Sequence, residues 1–159
     1  MQRILVVEDE QMLAKIIGMK LEDEGYEVSH AYDGQAAYEA LCIEPLPDLT
    51  LLDVLLPRMS GFDVLEKLHA DGKALPKVIV FSNFAQKADV ERAHALGAID
   101  YIVKAAFSPA EILSKIKAIF AAQETVPNSA TTPYQQFSSM EDVMPMSEVL
   151  RPGESNNNP

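Results

Sequence analysis

Hydrophobic positions in the first 121 residues follow two alternating patterns. Short runs rich in β-branched residues or leucine predict strands, and the longer stretches between them carry apolar residues three or four positions apart, as amphipathic helices do. The predicted strands are Arg3–Val7, Glu27–Ala31, Leu49–Leu52, Lys77–Phe81 and Ile99–Val103. Five strand–helix repeats predict an α/β fold, a doubly wound five-stranded parallel sheet with helices on both faces.

Several helix starts are marked by capping residues. Ser60 is followed by Asp63, and Ser108 by Glu111, at the three-residue spacing of a capping box. Asp33 is a candidate cap for the second helix. These residues predict helices that begin just after positions 33, 60 and 108.

The composition changes sharply near residue 121. Residues 122–159 contain five of the ten prolines and no lysine, and they end in Ser-Asn-Asn-Asn-Pro. Such a composition is typical of a flexible segment. The sequence therefore predicts one folded domain at 1–121 and a disordered, acidic, Pro/Ser/Asn-rich tail at 122–159. A short docked segment around Phe137, Met140 and Met144 is the alternative for the tail.

Charge and cysteine content exclude several classes of function. The chain carries a formal charge of −11 and a single cysteine, Cys42. An acidic chain is a poor ligand for nucleic acid phosphates or anionic lipid, and one cysteine can form neither an intramolecular disulfide nor a cysteine-based zinc site. No apolar run approaches the length of a membrane span. We therefore expect a cytoplasmic protein that inserts into no membrane and binds no nucleic acid directly.

Charged and polar residues follow the ends of four predicted strands. Glu8, Asp9 and Glu10 come directly after the first strand, Asp53 after the third, Ser82 after the fourth and Lys104 after the fifth. Because ligands of such sheets bind at the carboxyl ends of the strands, we expect these side chains to converge. Carboxylates this close together repel one another, and Mg²⁺, which prefers oxygen ligands, relieves the repulsion. The pattern favours a magnesium site at this edge of the sheet.

Four sequence motifs connect this pattern with a known family. They are Ile-Leu-Val-Val-Glu-Asp-Glu at 4–10, Pro-Asp-Leu-Thr-Leu-Leu-Asp-Val-Leu-Leu-Pro-Arg-Met-Ser-Gly-Phe-Asp at 47–63, Ile-Val-Phe-Ser at 79–82 and Gly-Ala-Ile-Asp-Tyr-Ile-Val-Lys at 97–104. Through them residues 2–121 resemble the receiver domain of two-component response regulators, with its chemotaxis-regulator-like, flavodoxin-like (βα)5 receiver fold. The spacing of Asp53, Pro57 and Gly61 is a highly specific part of the resemblance.

The resemblance implies a role for each residue of the expected site. Asp53 would be the phosphoryl acceptor, and Lys104 would pair with the phosphoryl oxygens. Mg²⁺ would be held by Asp53, Glu8 and Asp9 together with the backbone carbonyl of Leu55. These roles agree with the chemistry, because phosphoryl transfer to a carboxylate needs mainly alignment and neutralisation of charge.

The resemblance also implies a switch. Ser82 would be the switch hydroxyl and Tyr101 the switch aromatic, and together they would change the face made by the fourth helix, fifth strand and fifth helix. The protein would accept its phosphoryl group from a histidine kinase or a histidine phosphotransfer protein and present the changed face to a partner protein. It would catalyse only its own phosphoryl transfer and dephosphorylation.

Four positions distinguish this chain: two depart from the family pattern, and two are expected to affect how long the phosphoryl group lasts. Ala105 follows Lys104 where the family has proline on a cis bond, and Asn83 stands where the family prefers a small residue. By the same resemblance, Leu55 and Phe84 would flank the path of the water that attacks the phosphoryl group, and neither side chain can hydrogen-bond to a water molecule. We therefore expect slow loss of the phosphoryl group.

Rival functions fit less well. A haloacid dehalogenase-type enzyme needs a second acid two residues after Asp53, where this chain has Leu55, and a dinucleotide or flavin binder needs an anion-binding loop where this chain has Glu8 to Glu10. His30, His69 and His94 lie in separate elements without the spacing of metal ligands. A receiver-like adaptor that is never phosphorylated remains the open alternative.

Overall fold

A computed structural model of the chain describes residues 1–84 and 86–125. Its strands are β1 Arg3–Val7, β2 Glu27–Ala31, β3 Leu49–Asp53, β4 Lys77–Ser82 and β5 Asp100–Val103. Its helices are α1 Gln11–Asp23, α2 Gly34–Ala40, α3 Gly61–Ala70, α4 Lys87–Ala95 and α5 Pro109–Thr125, and a 3₁₀ turn spans Lys104–Ala106. Each predicted strand is present within one residue of its expected bounds.

The five strands form one parallel sheet in the order β2-β1-β3-β4-β5. Strand order reverses between β1 and β3, since the chain runs outward from β1 to β2 and then returns to the other side of β1. This confirms the predicted doubly wound sheet. It also puts the reversal point, where ligands of such sheets bind, between the ends of β1 and β3.

Side chains that alternate along the central strands separate the core into two layers. Ile4 and Val6 of β1 pack with α1 and α5, whereas Leu5 and Val7 pack with α2, α3 and α4. Successive residues of a strand point to opposite faces, so a strand covered by helices on both sides has apolar residues at every position. Thr50, buried within β3, is the polar exception, and the charged residues of the central strands lie at the strand ends.

The predicted capping residues begin their helices as expected. Ser60 and Asp63 form a capping box at the start of α3, and the side chain of Asp33 accepts a hydrogen bond from the Ala36 N–H at the start of α2. Ser108 Oγ accepts from the Glu111 N–H over 3.2 Å while Glu111 accepts from the Ser108 N–H over 2.8 Å. These caps satisfy backbone donors that the first helical turn leaves without partners.

The last helix runs beyond the expected boundary of the folded domain. α5 continues to Thr125, four residues past position 121, because Ala121, Ala122 and Gln123 are good helix formers. The remainder of the predicted tail, residues 126–159, lies outside the described residues. Among the described helices, none combines the length and the apolar character needed to span a membrane.

Candidate functional site

The carboxyl ends of the strands enclose a shallow pocket of about 390 Å³. Its lining consists of Glu8, Asp9, Glu10, Leu13, Asp53, Leu55, Asn83, Lys104 and Ala105. Glu8 follows β1, Asp53 is the last residue of β3 and Lys104 begins the 3₁₀ turn after β5. The parallel sheet thus brings together residues that are up to 96 positions apart in the sequence.

Asp53 is buried at the floor of this pocket. Its Oδ2 atom lies 2.9 Å from Lys104 Nζ, and its Oδ1 atom accepts a hydrogen bond from the Leu55 N–H over 3.2 Å. Gly61 lets the start of α3 approach the end of β3, because a Cβ at this position would lie 2.2 Å from the Asp53 carbonyl oxygen. Burial raises the pKa of Asp53, and the hydrogen bond from Lys104 opposes that rise.

Glu8 is a second buried carboxylate. Its backbone N–H donates to the Ala31 carbonyl over 3.1 Å, which extends the pairing of β1 with β2 and fixes the residue in place. Oε1 accepts from the Glu10 N–H over 3.0 Å, and Oε2 lies 2.5 Å from Lys104 Nζ. That close approach is an ion pair without good hydrogen-bond alignment, so Oε2 accepts no well-aligned hydrogen bond from any described residue. Burial raises the pKa of Glu8.

Lys104 is the ammonium group that both buried carboxylates share. Its side chain is 14% exposed, and Nζ also lies 4.9 Å from the centre of the Phe81 ring. Burial alone would lower the pKa of Lys104, but the close ion pair with Glu8 and the hydrogen bond to Asp53 outweigh burial and raise it. Lys104 is therefore held in its charged form, at the position where it can neutralise a developing negative charge on a group at Asp53.

The acidic residues fit a divalent cation with oxygen ligands. One carboxylate oxygen from each of Glu8, Asp9 and Asp53 lies within 4.8 Å of the others. Glu8 Oε2 has no well-aligned donor, and Asp9 is exposed at the pocket rim. Mg²⁺ is often bound by one or two carboxylates together with water and phosphate. Of the four expected ligands, these three are brought together, and the role of the Leu55 carbonyl stays a prediction.

Ser82 and Tyr101 are joined through the main chain of Phe84. Ser82 is buried at the end of β4, and its Oγ accepts from the Phe84 N–H over 3.2 Å. The Tyr101 hydroxyl donates to the Phe84 carbonyl oxygen over 2.5 Å. Burial raises the pKa of Tyr101, so the hydroxyl keeps the proton that it donates. The sequence does not indicate this link, because backbone groups carry no residue-type pattern.

Of the four positions that distinguish this chain, three line the pocket. Asn83 and Ala105 both line it, and Leu55, which is 57% exposed, lines it as well. Phe84 is 53% exposed and is not one of the described residues that line the pocket. Among the described residues the cis peptide bond is Glu44–Pro45, so the Lys104–Ala105 bond is trans. Of the two side chains that are expected to exclude water, Leu55 is the better placed to do so, because it lines the pocket.

Comparisons with known proteins agree with this arrangement. A family profile described as response regulator receiver domain matches residues 4–117. The DNA-binding dual master transcriptional regulator RpaA of Synechocystis is 31% identical over 131 residues, which cover 82% of this chain and 54% of RpaA. The transcriptional regulatory protein DltR of Streptococcus agalactiae is 40% identical over 115 residues, covering 72% of this chain and 50% of DltR. The chain thus spans about half the length of the curated relatives it matches.

Solved structures share the fold. A CheY-like response regulator receiver domain protein from Methanospirillum hungatei is 32% identical with a TM-score of 0.69, over 79% of this chain and 98% of that one. The response regulator TrrA from Thermotoga maritima, solved in complex with Mg²⁺-BeF, is 30% identical with a TM-score of 0.62, over 74% of this chain and 98% of that one. Both likenesses cover nearly the whole length of the solved chains.

Proposed function

The chain belongs to the receiver domains of two-component response regulators, and we propose from this that it accepts a phosphoryl group on Asp53 in a Mg²⁺-dependent step and then changes a surface that a partner protein recognises. One observation carries the proposal. Asp53 is buried, paired with Lys104 over 2.9 Å and clustered with the carboxylates of Glu8 and Asp9.

Asp53 is suited to be the nucleophile without any base. Its carboxylate is oriented by the Leu55 N–H and by Lys104, so the reacting oxygen is positioned before a donor arrives. As the bond between Asp53 and phosphorus forms, the P–N bond to the histidine of the donor breaks, and the departing imidazole nitrogen takes up a proton. Lys104 neutralises charge on the phosphoryl oxygens. A Mg²⁺ ion at Glu8, Asp9 and Asp53 would supply further positive charge there.

The surface of α1 supports a protein as the phosphoryl donor. Met12, Ile16 and Met19 are 70%, 41% and 56% exposed, and their spacing of four and three residues places them on one side of the helix. α1 begins two residues after Asp9, so this apolar stripe starts beside the pocket. We propose that a histidine kinase or histidine phosphotransfer protein docks here while its phosphohistidine reaches Asp53.

The proposed output is a shift of the β4–α4 loop. A phosphoryl group on Asp53 would attract the Ser82 hydroxyl, which accepts a hydrogen bond from the Phe84 N–H, and the Phe84 carbonyl in turn accepts from the Tyr101 hydroxyl. The face made by α4, β5 and α5 would change with them as a shift between two populations. The receiver would act only on its own phosphoryl group, and its target would be a protein surface.

DNA binding is stated for a relative and is not proposed for this chain. RpaA is described as DNA-binding, but it is about twice as long as the part that matches here. The expectation that this chain binds no nucleic acid directly is supported by its net charge of −11 and remains a prediction.

Phosphorylation is tested by incubating the full chain with Mg²⁺ and acetyl phosphate and measuring its intact mass. We expect a gain of one phosphoryl group that is lost in Asp53→Asn and kept in Asp48→Asn, which changes an aspartate just before β3 at the opposite end of that strand. If the wild-type chain gained no mass, the unphosphorylated adaptor would be the better explanation. A gain that persisted in Asp53→Asn would show that the acceptor is a different residue.

A further inference from the structure

Helix α4 is attached to the fold by little buried surface. Within Lys87–Ala95 the buried residue is Ala93, whereas α3, a helix of similar length, buries five residues. Gln86, which precedes α4, makes no side-chain capping hydrogen bond. Apolar burial therefore restrains α4 weakly, and other contacts must contribute to its position.

Arg92 supplies a two-point contact from α4 to α3. Its Nη2 atom donates a hydrogen bond to Glu66 Oε2 over 2.6 Å, and its Cζ atom lies 4.5 Å from the centre of the Phe62 ring. Phe62 and Glu66 are one helical turn apart on α3, so both can contact one flat guanidinium group. Phe62 is itself a core residue. Arg92 thus connects the polar helix α4 with a residue of the hydrophobic core.

We propose that Arg92 is a positioning residue that holds α4 against α3 in the resting protein and thereby sets how far phosphorylation of Asp53 can shift the α4 face. The effect on the switch rests on the proposed function, whereas the restraint on α4 does not. Ser82 is the last residue of β4 and α4 begins at Lys87, so we expect a movement of Ser82 to displace the first turn of the helix. Arg92 opposes that movement from the last turn of the helix.

The size of the restraint suits a switch. Arg92 and Glu66 are 49% and 48% exposed, so their ion pair is weak, and the contact with the Phe62 ring adds a second small contribution. Together they correspond to roughly a fivefold change in a local equilibrium. A restraint of this size changes the population of two arrangements without deciding whether the protein folds.

Hydrogen exchange of the full chain tests the restraint. Amides of residues 86–96 should exchange about fivefold faster in Arg92→Ala than in wild type, while amides of the central strands keep their rates. Glu66→Ala should reproduce part of this change, and the double variant should exchange no faster than Arg92→Ala, because both residues act through one contact. Lys87→Ala is the matched control, since it removes a positive charge whose ion pair with Glu91 lies within α4. Equal exchange in Arg92→Ala and Lys87→Ala would overturn the proposal.

Binding of Mg²⁺ with fluoroberyllate, a phosphoryl mimic, tests the effect on the switch. Arg92→Ala should bind the mimic up to about fivefold more tightly than wild type, because the resting arrangement has lost a contact, whereas Lys87→Ala should bind it equally. Equal or weaker binding by Arg92→Ala would show that the contact of Arg92 with α3 supports the structure but has no influence on the switch. If wild type bound no mimic, the proposed function would fail, and the exchange rates alone would still decide whether Arg92 holds α4.

Discussion

Replacing Lys104 with methionine should strongly destabilise the metal-free protein at neutral pH. Lys104 lies within ion-pair distance of two buried carboxylates, and methionine keeps much of its apolar length. Removing one partner of a buried ion pair costs about 3–5 kcal/mol, because the other charge stays buried without compensation. Since Lys104 is 14% exposed and the pocket is open, we expect about 3 kcal/mol, the lower end of that range.

The loss of unfolding free energy in Lys104→Met should grow as the pH rises. Burial already raises the pKa of Glu8 and of Asp53 in the folded protein, and removing Lys104 raises both pKa values further. A carboxyl group with a raised folded pKa does not disturb the fold while it is protonated, and it destabilises the fold as the pH rises through that pKa. The difference between Lys104→Met and wild type should therefore be large at pH 7 and smaller at about pH 4, where these groups are mostly protonated in the folded variant and about half protonated in the unfolded chain.

Urea unfolding followed by circular dichroism, at both pH values and without divalent cations, measures this difference. Lys115→Met is the control, because it removes a 2.8 Å ion pair with Asp100 at a more exposed position and should cost at most about 1 kcal/mol. Adding Glu8→Gln to Lys104→Met should restore part of the lost stability, since it removes one buried charge. Equal losses for the two lysine variants, or a loss that does not change with pH, would refute the reasoning.

Other predictions concern single residues of the site and one cap. Asp53→Asn should raise the melting temperature of the metal-free protein and weaken Mg²⁺ binding measured by calorimetry, because it neutralises a carboxyl group whose pKa burial raises; a lower melting temperature would contradict this. Leu55→Asn with Phe84→Glu should speed decay of the phosphorylated protein, and Leu55→Asn alone should produce most of the gain because Leu55 lines the pocket; decay at the wild-type rate would exclude these side chains as barriers to water. Ser60→Ala should cost about 1 kcal/mol of unfolding free energy in urea, whereas Ser114→Ala, exposed in the middle of α5, should not destabilise.

Local patterns were sufficient to predict the strands, the caps and the convergence of charged residues at the strand ends. A strand that is buried on both faces has a continuous apolar run, and its end is marked by the first charged residue, as at Val7 and Glu8 or at Leu52 and Asp53. Parallel connections then bring all carboxyl ends to one edge. The convergence of Glu8, Asp53 and Lys104 follows from those two facts without any knowledge of side-chain packing.

Contacts between elements could not be predicted in this way. The link from Ser82 to Tyr101 passes through the main chain of Phe84, and the link from α4 to α3 depends on Arg92 meeting Phe62 across two helices. Neither follows from spacing within one element, because both depend on how whole elements are positioned. The same reason explains why Leu55 and Phe84, equivalent in the sequence argument, differ in their relation to the pocket.

The charge balance of the pocket gives a physical reason for coupling phosphoryl transfer to movement of the β4–α4 loop. The three clustered carboxylates of Glu8, Asp9 and Asp53 face one ammonium group, and a divalent cation would bring the charge of this cluster close to neutral. A phosphoryl group on Asp53 would replace one carboxylate charge by about −1.5 to −2, so the pocket would become negative again and would attract hydrogen-bond donors. Ser82 is suited to respond, because a hydroxyl can donate one hydrogen bond while it accepts another. It can therefore bind a phosphoryl oxygen while it keeps the Phe84 N–H, and the loop can follow Ser82 without losing that hydrogen bond.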